Sequence, residues 1–230
     1  MPLILEKVRK YMEKRRRISG AALGVGLASA VALVVSVVMM TKRGHAASTR
    51  PSPGPGRTAV IGDSIVANTN GFVRYLGQNV AGRTFDNFGV VGQGTAAVLG
   101  DLRTRVVGHG YDEVIVEGGL NDLGRNDAVG YVTGNLRTIV GEAKNAGLRV
   151  VLVTITPYRA GSGTIRQINQ AILANGRSWG ADVVVDINYP LADLTGGLKS
   201  SLIGTRDGLH PNHEGQVLIG QTLRTQAYAN

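Results

Sequence analysis

Five short apolar, β-branched runs, Thr58–Ile65, Thr84–Val91, Asp112–Glu117, Arg149–Ile155 and Asp182–Ile187, alternate with longer segments whose apolar residues recur every three to four positions. Strands separated each time by a helix need crossover connections, and so they pair in parallel. The pattern predicts a three-layer α/β/α sandwich over residues 58–230. Its five-stranded parallel sheet is covered on both faces by helices at roughly 71–81, 94–107, 127–146, 162–179 and 213–228. In the flavodoxin-like strand order 2-1-3-4-5, ligands bind at the carboxyl ends of strands one and three, where the order reverses. Residues Asn188–Arg206 lack strong periodicity and are long for a connection, which marks them as a lid or a binding wall.

The N-terminal part is of another kind. From Ile18 to Met40 run 23 residues without a charge, long enough as a helix to cross a hydrocarbon layer of about 30 Å. Lys7, Arg9, Lys10, Lys14, Arg15, Arg16 and Arg17 precede it, against Lys42, Arg43 and Arg50 behind. The positive-inside bias predicts a cytoplasmic N-terminus (1–17), one transmembrane anchor (18–40) and an exported remainder. A cleaved signal peptide, giving a secreted protein, is the competing expectation. Its apolar region is ordinarily about 7–15 residues with a small-residue site close behind, whereas here Lys42 and Arg43 intervene before Gly44-His45-Ala46-Ala47. Residues 41–57, with Ser52-Pro53-Gly54-Pro55-Gly56, read as a linker.

The net charge of +9 is almost all N-terminal. Residues 1–50 hold ten Lys/Arg and two Asp/Glu; the remaining 15 Lys/Arg face 14 Asp/Glu, net +1. A nucleic-acid-binding domain loses its main support. With no cysteine, disulfides, thiolate metal sites and a cysteine nucleophile are excluded. The preference for Arg over Lys beyond residue 50, with abundant Ala, Gly and Val, matches a GC-rich bacterial genome, so the expected membrane is the bacterial cytoplasmic membrane.

Three stretches follow the ends of apolar runs or lie near the C-terminus: Gly62-Asp63-Ser64-Ile65, Gly119-Leu120-Asn121-Asp122 and Asp207-Gly208-Leu209-His210-Pro211. A hydroxyl nucleophile needs a base to take its proton, a carboxylate to orient the base, and donors aimed at the developing oxyanion. Ser64, His210, Asp207 and Asn121 can fill those roles, and the backbone N–H of Gly92, just past the second run, can join them. Each has a plainer reading: Ser64 as a helix cap, Asp207 and His210 as a surface pair, Asn121 as a turn residue, Gly92 as a tight-turn glycine. Their joint placement at one crevice, given the strand order above, favours the chemical reading.

In these blocks the chain resembles the SGNH hydrolase superfamily, the GDSL esterases and lipases, over residues 58–228. The resemblance implies that Ser64 is the nucleophile, that Asp207 and His210 complete a triad, and that Ser64, Gly92 and Asn121 form the oxyanion hole. The first block reads Gly-Asp-Ser-Ile where Leu is commoner, and Gly89 competes with Gly92 for the second-block role. The implied activity is hydrolysis of carboxylic esters through an acyl-enzyme, with no metal and no organic cofactor. Few aromatic residues and no extended apolar lid point to short acyl groups, such as O-acetyl on carbohydrate or cell-envelope glycans. Arg125, Tyr158 and Arg159 are candidate substrate contacts. Alternatives are an O-acyltransferase of envelope glycans, a lysophospholipase or thioesterase acting on lipids, and a non-catalytic binding module, against which the intact set of residues argues.

Overall fold

The computed structural model describes residues 54–229. Five parallel strands, β1 (Gly56–Gly62), β2 (Arg83–Gly89), β3 (Glu113–Val116), β4 (Arg149–Val153) and β5 (Val183–Val185), form one sheet in the order β2-β1-β3-β4-β5. Register places Ile61 of β1 beside both Phe88 of β2 and Val116 of β3. The helices are α1 (Ser64–Ala67), α2 (Phe72–Asn79), α3 (Thr95–Asp101), α4 (Ala128–Asn145), α5 (Ser162–Trp179), α6 (Asn188–Leu191) and α7 (His213–Ala227).

Because side chains alternate across a strand, each strand feeds two cores. Ala59, Ile61, Val114, Val116, Val150 and Leu152 pack with Leu136 and Ile139 of α4 and with Ile168 and Ile172 of α5. Val60, Ile115, Val151 and Val153 pack on the other face with Phe72 and Leu76 of α2 and Ile219 and Leu223 of α7. Burial of each large aliphatic or aromatic side chain contributes about 1.5–3 kcal/mol. At the amino end of the strands the buried Glu113 accepts from Thr58, Arg149 and Tyr228, a polar clasp far from the crevice.

The expected elements are present, with ends that shift for local reasons. The first strand stops at Gly62 and not at Ile65, because Asp63 turns the chain and caps α1, its Oδ1 accepting from Ile65 N–H at 2.9 Å. The second stops at Gly89 and not at Val91, before Gly92 takes a φ of +78°. Ser64, Gly92 and Asn121 therefore sit in the turns beyond the strands, and not at the strand ends themselves. Helix 94–107 is divided into α3 and a wider π-type turn, Leu102–Val106. The long stretch after β5 is not one loop. It holds α6, a bridge pairing Ala192 with Leu198, a 3-10 turn at Ser200–Leu202 and a bridge pairing Ile203 with Pro211. The expected anchor at 18–40, and the linker up to residue 53, lie outside the described residues. Among the described residues no helix is long and apolar enough to cross a membrane.

Candidate active site

Ser64 is the first residue of α1, and the capping task belongs to its neighbour Asp63. Its hydroxyl is thereby left for another partner, and Ser64 Oγ lies 2.9 Å from His210 Nε2 across 146 residues of sequence. The other ring nitrogen of His210 faces Asp207 Oδ2 at 3.5 Å. A turn makes this possible: Gly208 adopts a φ of +69°, and Asp207 Oδ1 accepts from Leu209 N–H at 2.9 Å, which folds His210 back over the carboxylate. Thr205 adds a contact that the sequence motif does not contain. Its hydroxyl donates to Asp207 Oδ1 and lies 3.4 Å from His210 Nδ1. The Thr205 bond, followed by that from Leu209 N–H, holds the Asp207 carboxyl below its ordinary range.

Asn121 lies in a 3-10 turn, Leu120–Asp122, opened by Gly119 at a φ of +124°. A side chain at Gly119 would collide with Ile155 and Val132, so glycine is needed there on two grounds. Asn121 Nδ2 donates to Asp63 Oδ2 and to the Gln93 carbonyl, each at 3.1 Å. Gln93 Nε2 in turn donates to the Gly62 carbonyl at 2.8 Å. Asp122 is no simple turn residue. Its Oδ2 accepts from Thr95 N–H and Oγ1 at 2.8 and 3.0 Å, pinning the Asn121 turn to the start of α3. The segments after β1, β2 and β3 are thus tied together by side chains. Asp63, Gln93, Thr95, Asp122 and Thr205 were not singled out from sequence. Asp63 and Asp122 lie inside the motifs, so their spacing was a signal; Gln93 and Thr205 gave none.

Two buried carboxyls lie behind Ser64. Glu117, just past β3, is wholly buried; its Oε2 accepts from Asp63 N–H at 3.3 Å and its Oε1 has no partner. Burial first, then the charge of Asp63, raises the Glu117 carboxyl well above its ordinary value. Burial also raises Asp63, against the bond from Ile65 N–H. Glu117 is therefore the natural holder of a proton between the two.

A depression of about 630 Å³ opens beside Ser64 and His210, walled by Asn68, Val91, Thr205 and Asn212. Thr205 comes from the long connection after β5, which here forms a binding wall. Arg125, Tyr158 and Arg159 are not among its lining residues. Arg125 bonds Asp122 Oδ1 at 3.2 Å and lies 3.8 Å over the Tyr131 ring, while Tyr158 packs partly buried against the core. Arg159 pairs with Asp193 Oδ2 at 3.2 Å. Gly89 and Gly92 separate clearly. A Cβ at Gly89 would meet the Ala67 nitrogen at 2.3 Å, so that glycine permits α1 to pack on β2; Gly92 is exposed with nothing within 4 Å. Among the described residues no cluster of His, Asp or Glu is arranged to hold a metal ion.

Comparison with known proteins agrees with this geometry. The model of the GDSL-like Lipase/Acylhydrolase family matches residues 60–218. No curated protein gives a significant match. Among solved structures, a GDSL-like lipase from Bacteroides thetaiotaomicron superposes with a TM-score of 0.62 at 21% identity, over 73% of this chain and 85% of that one. A member of the lipolytic protein G-D-S-L family from Veillonella parvula gives 0.61 at 20%, over 73% and 95%. A catalytic mutant of Axe2, an acetylxylan esterase from Geobacillus stearothermophilus, gives 0.66 at 18%, over 78% and 97%. At such identities these structures speak for the fold, and the family match spans most of the sandwich and all three motifs. The chain belongs to the GDSL-like lipase/acylhydrolase family and is a serine ester hydrolase.

Proposed function

We propose that the protein removes short acyl groups, foremost O-acetyl, from carbohydrate through an acyl-enzyme on Ser64. The observation that carries this is the 2.9 Å contact between Ser64 Oγ and His210 Nε2, with Asp207 behind the imidazole. His210 takes the Ser64 proton as the oxygen attacks the ester carbonyl, and Asp207 stabilises the imidazolium. The oxyanion is met by Ser64 N–H, Gly92 N–H and the Asn121 amide. As the first helical residue, Ser64 has no intrahelical carbonyl for its N–H. One Asn121 N–H stays on Asp63, and the one now on the Gln93 carbonyl turns to the oxyanion. His210 protonates the departing alcohol, then activates the water that frees the acid.

The short-acyl reading is supported by the open depression beside Ser64, whose walls mix Asn68, Asn70, Asn212 and Thr205 with the short apolar side chains of Ala67, Val91 and Pro211 and hold no Leu, Ile, Met, Phe, Tyr or Trp. It is supported too by the acetylxylan esterase likeness, where catalytic mutants replace a serine, an aspartate and a histidine. The uncharged run 18–40 behind seven basic residues supports placing this domain outside the bacterial cytoplasmic membrane.

The test compares full-length protein with Ser64→Ala on 4-nitrophenyl acetate, butyrate and octanoate. Turnover should fall with acyl length and vanish in the variant. A preference for octanoate would move the substrate to lipids, and acyl transfer to an added sugar in excess of hydrolysis would make the enzyme a transferase.

A further inference from the structure

A second depression, of about 740 Å³, adjoins the one at Ser64 and shares Asn70 and His213 with it. The two make one continuous track running from the nucleophile along the outer face of α2. That helix buries Phe72, Val73 and Leu76 and turns Arg74, Gln78 and Asn79 to solvent. Arg74 and Gln78, four apart on α2, line one stripe and Tyr75 and Asn79 the next, while Asn70 lies in the turn before the helix. Arg74 Nη1 donates to Asn70 Oδ1 at 2.8 Å, which fixes both side chains along the track. Tyr75 is seated on α7 at Gly220, where any Cβ would fall 2.4 Å from its ring. The track thus has an aromatic floor with carboxamides and one guanidinium along it.

This chemistry selects among ligands. The carboxamides carry donors and acceptors, as sugar hydroxyls do, although Asn79 Nδ2 gives one N–H to the Tyr75 carbonyl at 2.8 Å and Asn70 Oδ1 accepts from Arg74, and a ring such as Tyr75 suits the C–H face of a pyranose. A polyanion would call for several cations, and Arg74 is the one Lys or Arg in the lining. An acyl chain would call for aliphatic walls, and Val217 is the one aliphatic residue.

We propose that the groove between α2 and α7 is an extended subsite that holds further sugars of an oligosaccharide whose acylated unit sits at Ser64. The proposal rests on the carbohydrate reading above and says where the rest of the glycan lies.

The test measures kcat/KM of the full-length enzyme on an O-acetylated monosaccharide and on the tetrasaccharide of the same sugar. Bonds to two or more extra sugars should favour the tetrasaccharide by about tenfold or more. In Arg74→Ala with Gln78→Ala, and separately in Gln78→Trp, which fills the groove from an exposed position, that ratio should fall towards one. Equal kcat/KM on the two sugars in the wild type would overturn the subsite and leave the carbohydrate reading standing. A length preference that survives both variants would also overturn it. Cleavage of 4-nitrophenyl acetate with neither sugar touched would overturn the carbohydrate reading, and the subsite with it.

Discussion

The carboxylate of Asp63 holds the Asn121 amide: Oδ2 accepts from Nδ2 at 3.1 Å, while Oδ1 caps α1 through Ile65 N–H at 2.9 Å. One buried side chain therefore sets both the helix that carries Ser64 and the orientation of the Asn121 amide in the turn after β3. Asn caps helices as well as Asp does, so Asp63→Asn should preserve α1. It should place an NH2 against the Asn121 NH2 and turn that donor away. We expect kcat to fall by about 10²–10³ with KM little changed. Steady-state kinetics on a nitrophenyl ester checks this, and an equal loss in KM would show that Asp63 acts on substrate binding instead.

Thr205 should matter through Asp207. Replacing it with Val removes the largest influence holding the Asp207 carboxyl low. A lowered carboxylate contributes stability above its ordinary value of 3.8, and that contribution fades as pH falls through the folded-state value. In Thr205→Val that contribution should be smaller and should have vanished at a higher pH than in the wild type, and kcat should drop about tenfold, well short of the loss of up to about 10⁴ expected for Asp207→Asn. An acid unfolding profile identical to the wild type would remove Thr205 from this role.

Gly89, the last residue of β2, and Gly92, just beyond it, make a discriminating pair. Gly89→Ala drives a Cβ into the backbone of Val66 and Ala67, which cannot swing aside, and should cost about 3 kcal/mol or more together with most activity. Gly92→Ala meets no atom, and its φ of +78° costs about 1–2 kcal/mol. Urea denaturation orders the two. Alanine keeps the Gly92 N–H, so that variant should stay active where Gly89→Ala does not, and equal losses of activity would mean that the backbone conformation at Gly92 itself is what the site requires.

Glu117 should make stability depend on pH in the opposite sense to Asp207. Its folded value is raised above the ordinary 4.5, so its contribution is complete below that value and is lost as pH rises through the folded value. Asp63, raised by burial, acts with the same sign. Glu117→Gln keeps the shape and carries no charge, so its stability should gain on the wild type as pH rises from that ordinary 4.5 towards neutrality. Urea midpoints that stay parallel over that interval would mean that Glu117 does not titrate there.

Much of the molecule was legible before folding, because periodicity encodes which faces must be buried. Alternation of β-branched runs with three-to-four patterned segments fixes a parallel sheet with helices on both sides, and the Gly-Asp-Ser and Gly-Leu-Asn-Asp motifs fall just beyond strand ends while Asp-Gly-Leu-His precedes the last helix. Boundaries were less legible: a single capping bond from Asp63 ends β1, and nothing in apolar patterning reports it. Arg125, Tyr158 and Arg159 were chosen by nearness in sequence to strand ends; the structure pairs Arg125 with Asp122 and the Tyr131 ring and Arg159 with Asp193, packs Tyr158 against the core, and lines the Ser64 depression with other residues.

The sequence by itself thus determined the layers and the strand directions, which follow from local periodicity, and it offered Ser64, His210 and Asp207 as candidates by residue type and motif. Only the tertiary structure decided that Ser64 meets His210 across 146 residues, that Thr205 and Gln93 join the site, and that Glu117 stands buried with one oxygen unpaired behind Asp63. Those relations depend on distances between segments far apart in the chain, which arise only when two cores close around one sheet and bring its loops to a common edge.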